Sequence, residues 1–228
     1  MRLRIFALLI FMLCTAFTPK TSTLALRYLA KESFDGLQLN AFQAPRWECF
    51  AYGFQGYYKL EREGRIQNPL LTLIDFSLPS TAKRLWVIDM TTHEVIQHTY
   101  VAHGMNSGLL KAADFSNQEA SFKSSLGFYL TQSIYHGKHG ISLKLQGLET
   151  GFNDQAEKRC IVMHGATYVS SKHIKIHKRL GRSQGCPAIE QSIAAHLIPK
   201  LQNQSCLFIF APQESYLSHS SFITETGI

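Results

Sequence analysis

Gly181-Arg-Ser-Gln-Gly-Cys-Pro-Ala188 sets one thiol in a loop flanked by glycine and closed by proline. Glycines at 181 and 185 suit a tight loop whose backbone can approach a ligand, because glycine tolerates conformations that other residues avoid. Pro187 keeps Cys186 out of the α region, yet proline is favoured at the first position of a helix. Ile189, Ile193, Leu197 and Leu201 recur at helical spacing, so a helix is predicted to follow the thiol, with Cys186 at its N-terminus. A cysteine placed there is drawn toward thiolate, since helix N-termini and nearby cations lower its pKa from about 8.5 toward 7 or below. Arg182 is close enough in sequence to contribute. The backbone N–H groups of Gly185 and Cys186 could meet a developing oxyanion, whereas Pro187 has none to offer.

Upstream, Cys160-Ile-Val-Met-His164 reads as a strand followed by Gly165, which puts Cys160, Val162 and His164 on one face. His164 then stands at a strand end beside bare backbone. A Cys186–His164 pair recruited for acyl transfer accounts for the most features at once. Two rivals share these residues. A structural zinc could be drawn from Cys160, His164, His173 and His177, whose spacings are ligand-like, but that set omits the thiol of the glycine loop. A disulfide through Cys186 would need a second cysteine within bridging distance, which spacing alone leaves open.

The chain has 228 residues, 45% apolar and 17% charged, enough for a substantial core and far from the composition of a disordered chain. Five cysteines are too sparse for a disulfide-knot miniprotein. The formal charge is +7. Setting aside Met1–Thr23, with Arg2, Arg4 and Lys20, leaves 20 Lys+Arg against 16 Asp+Glu. That excess falls in one acid-free stretch, residues 158–182, which holds Lys158, Arg159, Lys172, Lys175, Lys178, Arg179 and Arg182. A local basic lobe without interleaved aromatics does not point to nucleic acid.

Arg2 and Arg4 precede the apolar run Ile5–Leu13, too short to cross a bilayer and shaped like a secretory signal. Residues 1–23 are therefore expected to direct export to the periplasm or cell envelope, with membrane attachment only if the signal stays uncleaved. Residues 24–66 are expected to form a helical extension packed on the catalytic domain: a short helix at Leu24–Ala30, then a stronger one after Pro45. In the second helix Trp47, Phe50, Phe54, Tyr57 and Tyr58 form an apolar stripe up to Gly64. Residues 67–212 read as mostly β. Strands are predicted at Leu70–Phe76, Leu126–Thr131, Ile141–Leu145 and Leu207–Phe210, with a hairpin formed by Arg84–Met90 and Glu94–Val101. The fold class is mainly β with α (α+β). Residues 213–228, rich in Ser and Thr, read as a loose polar tail.

The chain resembles the murein L,D-transpeptidase catalytic domain. The residues that carry the likeness are Leu73-Ile-Asp-Phe-Ser77, Ser125-Leu-Gly-Phe-Tyr129, Tyr135-His-Gly-Lys-His-Gly140, Gly147-Leu-Glu149, Gly151-Phe-Asn153, His164-Gly-Ala166 and the block from Gly181 to Ala188. The resemblance implies a β-sandwich or barrel catalytic fold with a helix behind the nucleophile. It also implies a thiol enzyme acting on peptidoglycan stem peptides as donor and acceptor, without a cofactor or metal, and open to acylation by carbapenem-type β-lactams. Cys186 would be the nucleophile, His164 the general base, and the Gly165 carbonyl the group that orients the imidazole. Where the wider superfamily has His and Arg two residues either side of the cysteine, this chain has Gln184 and Ala188, which leaves the guanidinium to Arg182 as a substitute. Tyr135, Lys138, His139, Arg182 and Ser183 are expected to line the substrate cleft. Transfer of the acyl group to an amine, hydrolysis by water as an L,D-carboxypeptidase, and a non-catalytic wall-binding module are the three outcomes to separate.

Overall fold

A computed structural model describes residues 23–223. The expected export signal lies almost wholly outside the described residues. Two helices come first, α1 (Thr23–Asp35) and α2 (Trp47–Arg62). The aromatic stripe of α2 is core: Phe50, Phe54, Tyr57 and Leu60 are buried in one cluster with the sheet. Gly64, at φ +66°, ends the helix, and the Gly64 and Arg65 N–H groups bond back to the Glu61 and Leu60 carbonyls, the Schellman arrangement that a glycine at this position permits. Inside the helix, a Cβ on Gly56 would lie 2.0 Å from the Phe128 ring. The helix forgoes side chains there so that it can settle directly on the sheet.

The strands are β1 (Leu70–Asp75), β2 (Leu85–Asp89), β3 (Glu94–Thr99), β4 (Val101–Ala102), β5 (Gly127–Gly137), β6 (Gly140–Gly147), β7 (Val162–Ala166), β8 (Ala188–Glu190) and β9 (Cys206–Phe210). They form one sheet in the order β3-β2-β1-β9-β5-β6-β7-β8-β4. The two edge strands, β3 and β4, are separated in sequence only by Tyr100, so the sheet curls into a nearly closed barrel. β9 lies parallel to β1 and antiparallel to β5. Helix α3 (Ser171–His177) stands on the surface, α4 (Gln191–Leu201) packs behind β6, β7 and β8, and α5 (Glu214–Leu217) follows β9. Among the described residues no helix is long and apolar enough to cross a membrane.

Three expectations change here. The predicted strand from Cys160 begins two residues later: Cys160 has φ +53° and ends a run of turns, so it does not share a strand face with His164. The helix after Cys186 does not start at Pro187, because Ala188–Glu190 pairs with β7 as a strand first and α4 begins at Gln191. Nor is the C-terminal stretch loose over 213–223, since Tyr216, Phe222 and Ile223 are buried in the main core. The Tyr216 hydroxyl donates to the buried Glu149 carboxylate at 2.9 Å, and Ser220 Oγ donates to its other oxygen. The Phe128 N–H completes the set at 2.7 Å.

Candidate active site

The loop that carries Cys186 is tied by its own serine. Ser183 Oγ donates to the Cys186 carbonyl at 2.6 Å and accepts the Gly185 N–H at 3.1 Å. Ser183 therefore shapes the loop, and its hydroxyl is already committed at both ends instead of free for substrate. The same bond engages the Gly185 N–H, expected to face the oxyanion, and leaves that of Cys186 as the remaining candidate of the two. Gly185 sits at φ +120°, and a Cβ there would meet the Lys123 carbonyl at 2.8 Å and Arg159 Nη2 at 3.3 Å. Only glycine fits this corner.

From Pro187 the chain enters β8, which runs parallel to β7 with Ala188 opposite His164. This register sets His164 and Cys186 against one cavity. His164 is buried, and its Nδ1 lies 2.9 Å from the Gly165 carbonyl. A carbonyl can only accept, so Nδ1 carries the proton and Nε2 keeps its lone pair. The contact expected between the imidazole and the Gly165 carbonyl is present.

His164 and Cys186 line one cavity of about 460 Å³. Tyr135, Lys138 and His139, from the tip of the β5–β6 hairpin, line it too, with Arg182 and Ser183 on the opposite side of the sequence. The His139 ring stacks on His164 at 4.2 Å between centroids. His173 and His177 lie together on α3. Among the described residues no three His, Cys, Asp or Glu side chains are grouped to hold a metal ion, so the zinc set does not assemble.

The electrostatics differ from the sequence expectation. Burial pushes the Cys186 thiol above its ordinary range, although the Val162 and Cys186 N–H groups and the Arg159 guanidinium favour the anion. Burial outweighs them, and the helix N-terminus expected to favour the anion is absent, because β8 lies between Cys186 and α4. Burial lowers the His164 pKa, and the positive charges of His139 and Lys138 add to that effect. The resting pair is neutral thiol and neutral imidazole.

Arg159 is the cavity-wall residue that local pattern did not single out. Its guanidinium donates to the Ser116 carbonyl at 2.7 Å, the Lys123 carbonyl at 2.6 Å, Ser121 Oγ at 3.3 Å and Ser125 Oγ. It thereby straps segment 116–125 against the cavity wall, where Ala120 and Phe122 contribute to the lining. Arg182, expected to supply the guanidinium, is instead engaged with the Met105 and Gly108 carbonyls at 2.6 and 3.2 Å.

A search of curated proteins returned no match. Among solved structures, the L,D-transpeptidase LdtMt1 in complex with imipenem overlaps with a TM-score of 0.39 at 11% identity, over 63% of this chain and 59% of its own. The helical cell shape determining protein Pgp2 of Campylobacter jejuni gives 0.41 at 14%, over 75% and 58%. An L,D-transpeptidase of Stackebrandtia nassauensis gives 0.36 at 14%, over 83% and 80%. The chain thus spans about three-fifths of the length of the first two, and overlaps this loose carry no weight for function. The sequence profile of the L,D-transpeptidase catalytic domain matches residues 43–210, from just before α2 to the end of β9. On that match, which covers most of the chain and encloses both Cys186 and His164, the protein belongs to the L,D-transpeptidase catalytic-domain family.

Proposed function

We propose that the protein is an exported cysteine acyltransferase that cuts the bond between the third residue of a peptidoglycan stem and its terminal D-alanine, then passes the acyl group to an amine. The observation that carries this reading is the His164–Gly165 contact, which leaves Nε2 unprotonated in the cavity that also holds Cys186. As the sulfur attacks the carbonyl carbon, Nε2 takes the thiol proton. The Cys186 N–H faces the oxyanion of the tetrahedral intermediate. On collapse the D-Ala nitrogen leaves with the proton held by His164, and the thioester remains. The acceptor amine then attacks the thioester and gives a proton to His164, which returns it to the departing sulfur. Starting from a neutral pair, this sequence needs His164 as a base at the moment of attack, in contrast to a preformed thiolate.

Lys138 and Arg182 supply positive charge for the stem's carboxylates, His139 a ring nitrogen and Tyr135 an aromatic wall. Export is supported by the Arg2, Arg4 and Ile5–Leu13 pattern. A carbapenem is expected to acylate Cys186 by the same attack. Purified protein and its Cys186→Ala variant incubated with tetrapeptide muropeptides, followed by mass spectrometry, test the proposal. Wild type should yield D-Ala and a dimer joined through two third-position residues, and Cys186→Ala neither. Tripeptide without dimer would assign an L,D-carboxypeptidase. Turnover by the alanine variant at even a tenth of the wild-type rate would remove Cys186 from the nucleophile's role.

A further inference from the structure

Part of the basic excess of the sequence becomes one surface in the structure: Lys158 pairs with Glu119, and Arg159 and Arg182 are engaged by carbonyls, which leaves the cations of residues 172–179. Residues 168–181 leave the cavity wall, form α3 and return: the Gly181 N–H bonds to the Tyr168 carbonyl at 2.9 Å, and a Cβ on Gly181 would strike the Tyr168 side chain at 2.5 Å. Tyr168 and Arg182, at the two ends of this excursion, both line the active-site cavity. A small apolar cluster of Ala102, Ala166, Val169, Leu180 and Ala188, with Ile174 against it, holds the excursion in place.

What the excursion displays is positive. Helix α3 buries no residue. Lys172 and Lys175 are exposed one turn apart on α3, and the exposed Lys178 caps its C-terminus with Arg179 beside it, so the four cations cluster on one short excursion. Among the described residues none of these four cations forms an ion pair, and no Asp or Glu occurs between Lys158 and Arg182. Like charges three or four apart work against a helix by a few tenths of a kcal/mol per pair. Among the described residues no acidic side chain pairs with these cations to offset that cost, and the excursion that carries them begins and ends at the cavity where an anionic peptide is to be cut.

We propose that the α3 face is an exosite for polymeric peptidoglycan: Lys172, Lys175 and Lys178 engage the carboxylates of stems adjacent to the one in the cavity. The inference rests on the substrate class proposed above. It separates two tasks, chemistry on one stem in the cavity and retention on the polymer by α3. Free stem peptide meets only the first, whereas an intact wall meets both.

The test is the triple variant K172Q/K175Q/K178Q, which removes charge from exposed positions while keeping helix-forming side chains, compared with wild type in two assays. Turnover of a soluble tetrapeptide muropeptide should agree within about twofold, because no cavity residue has changed. Co-sedimentation with purified sacculi at low salt should fall roughly tenfold, the scale on which such a charged surface concentrates its partner. The difference should close as salt shortens the Debye length to about 3 Å near 1 M. Unchanged co-sedimentation, or a soluble turnover that falls in step with it, would overturn the exosite. Charge-dependent retention by phosphatidylglycerol vesicles with none by sacculi would assign the face to a membrane surface and equally overturn it. A wild-type protein that binds sacculi through α3 yet turns over no muropeptide would refute the proposed reaction while leaving the surface standing.

Discussion

Acid should unfold this protein through His103. That imidazole is buried between two fixed partners: Arg84 Nη2 at 2.8 Å from Nδ1 and the Gly108 carbonyl at 3.1 Å from Nε2. A guanidinium can only donate and a carbonyl only accept, so the ring is held as the neutral tautomer protonated on Nε2. A second proton would face the Arg84 cation, and burial, Arg84, Arg182 and Arg179 together push the His103 pKa down from 6.5 to about 4. Between those two values the unfolded chain binds a proton that the folded chain refuses, so stability falls with falling pH by up to about 1.4 kcal/mol per unit. Stability from this source is full above 6.5, and the loss from pH 7 to pH 4.5 works out at about 2.4 kcal/mol. That is a large share of the 5–15 kcal/mol typical of a domain. Urea unfolding at the two pH values, on wild type and His103→Gln, isolates the contribution. The amide oxygen of Gln can accept from Arg84 and its NH₂ donate to Gly108, without a titration. Groups common to both proteins cancel in the difference, including Glu149 and Asp75, whose raised pKa values act in the opposite sense. The variant should lose about 2.4 kcal/mol less than wild type; equal losses would refute the assignment. The His103 carbonyl also accepts the Ser183 N–H at 3.0 Å, so activity should fail over the same range as the nucleophile loop loses its anchor.

Alkylation of Cys186 by iodoacetamide, followed by peptide mapping across pH, should inflect above the ordinary thiol value because burial raises it, and Arg159→Gln should move the inflection higher still; labelling that inflects well below pH 8 would restore the preformed thiolate. Tyr216→Phe should cost about 1–3 kcal/mol in urea unfolding, since it strips one donor from the buried Glu149 carboxylate, and a neutral result would show that this bond carries no weight. Gly56→Ala should cost about 1–3 kcal/mol, with partial recovery when Phe128 is shortened to Leu, because the added methyl would lie 2.0 Å from that ring. Prolonged chelation should leave both melting temperature and turnover unchanged; unfolding around His173 and His177 would bring back the structural zinc.

How much of this was legible depends on how local each signal is. The stripe of α2, strand β1 and the β2–β3 hairpin are written in periodicity and turn residues close in sequence, and they stand where those signals put them. The start of α4 was not readable, because Ala188-Ile-Glu190 fits a helix and a strand equally well and is decided by the empty edge of β7. That one tertiary choice removes the helix N-terminus expected at the thiol, and burial then raises its pKa. Arg159 was visible only as one cation among seven in its stretch; its partners, Ser116 to Ser125, lie more than thirty residues upstream, beyond any local pattern. The C-terminal segment misled through its Ser and Thr content, although Tyr216, Phe222 and Ile223 were the apolar anchors to weigh against it.

The place of β9 has a consequence for the order in which this molecule can be assembled. Among the described residues it is the last strand in chain order, and its ladders to β1 and β5 are what join β3-β2-β1 to β5-β6-β7-β8-β4 within the sheet. Until residues 206–210 have emerged, the two halves have no shared backbone ladder, and joining them closes chain loops of well over a hundred residues, a slow step by its contact order. A polypeptide that must be threaded through a membrane before it folds, as proposed for this one, gains from a keystone that arrives at the end.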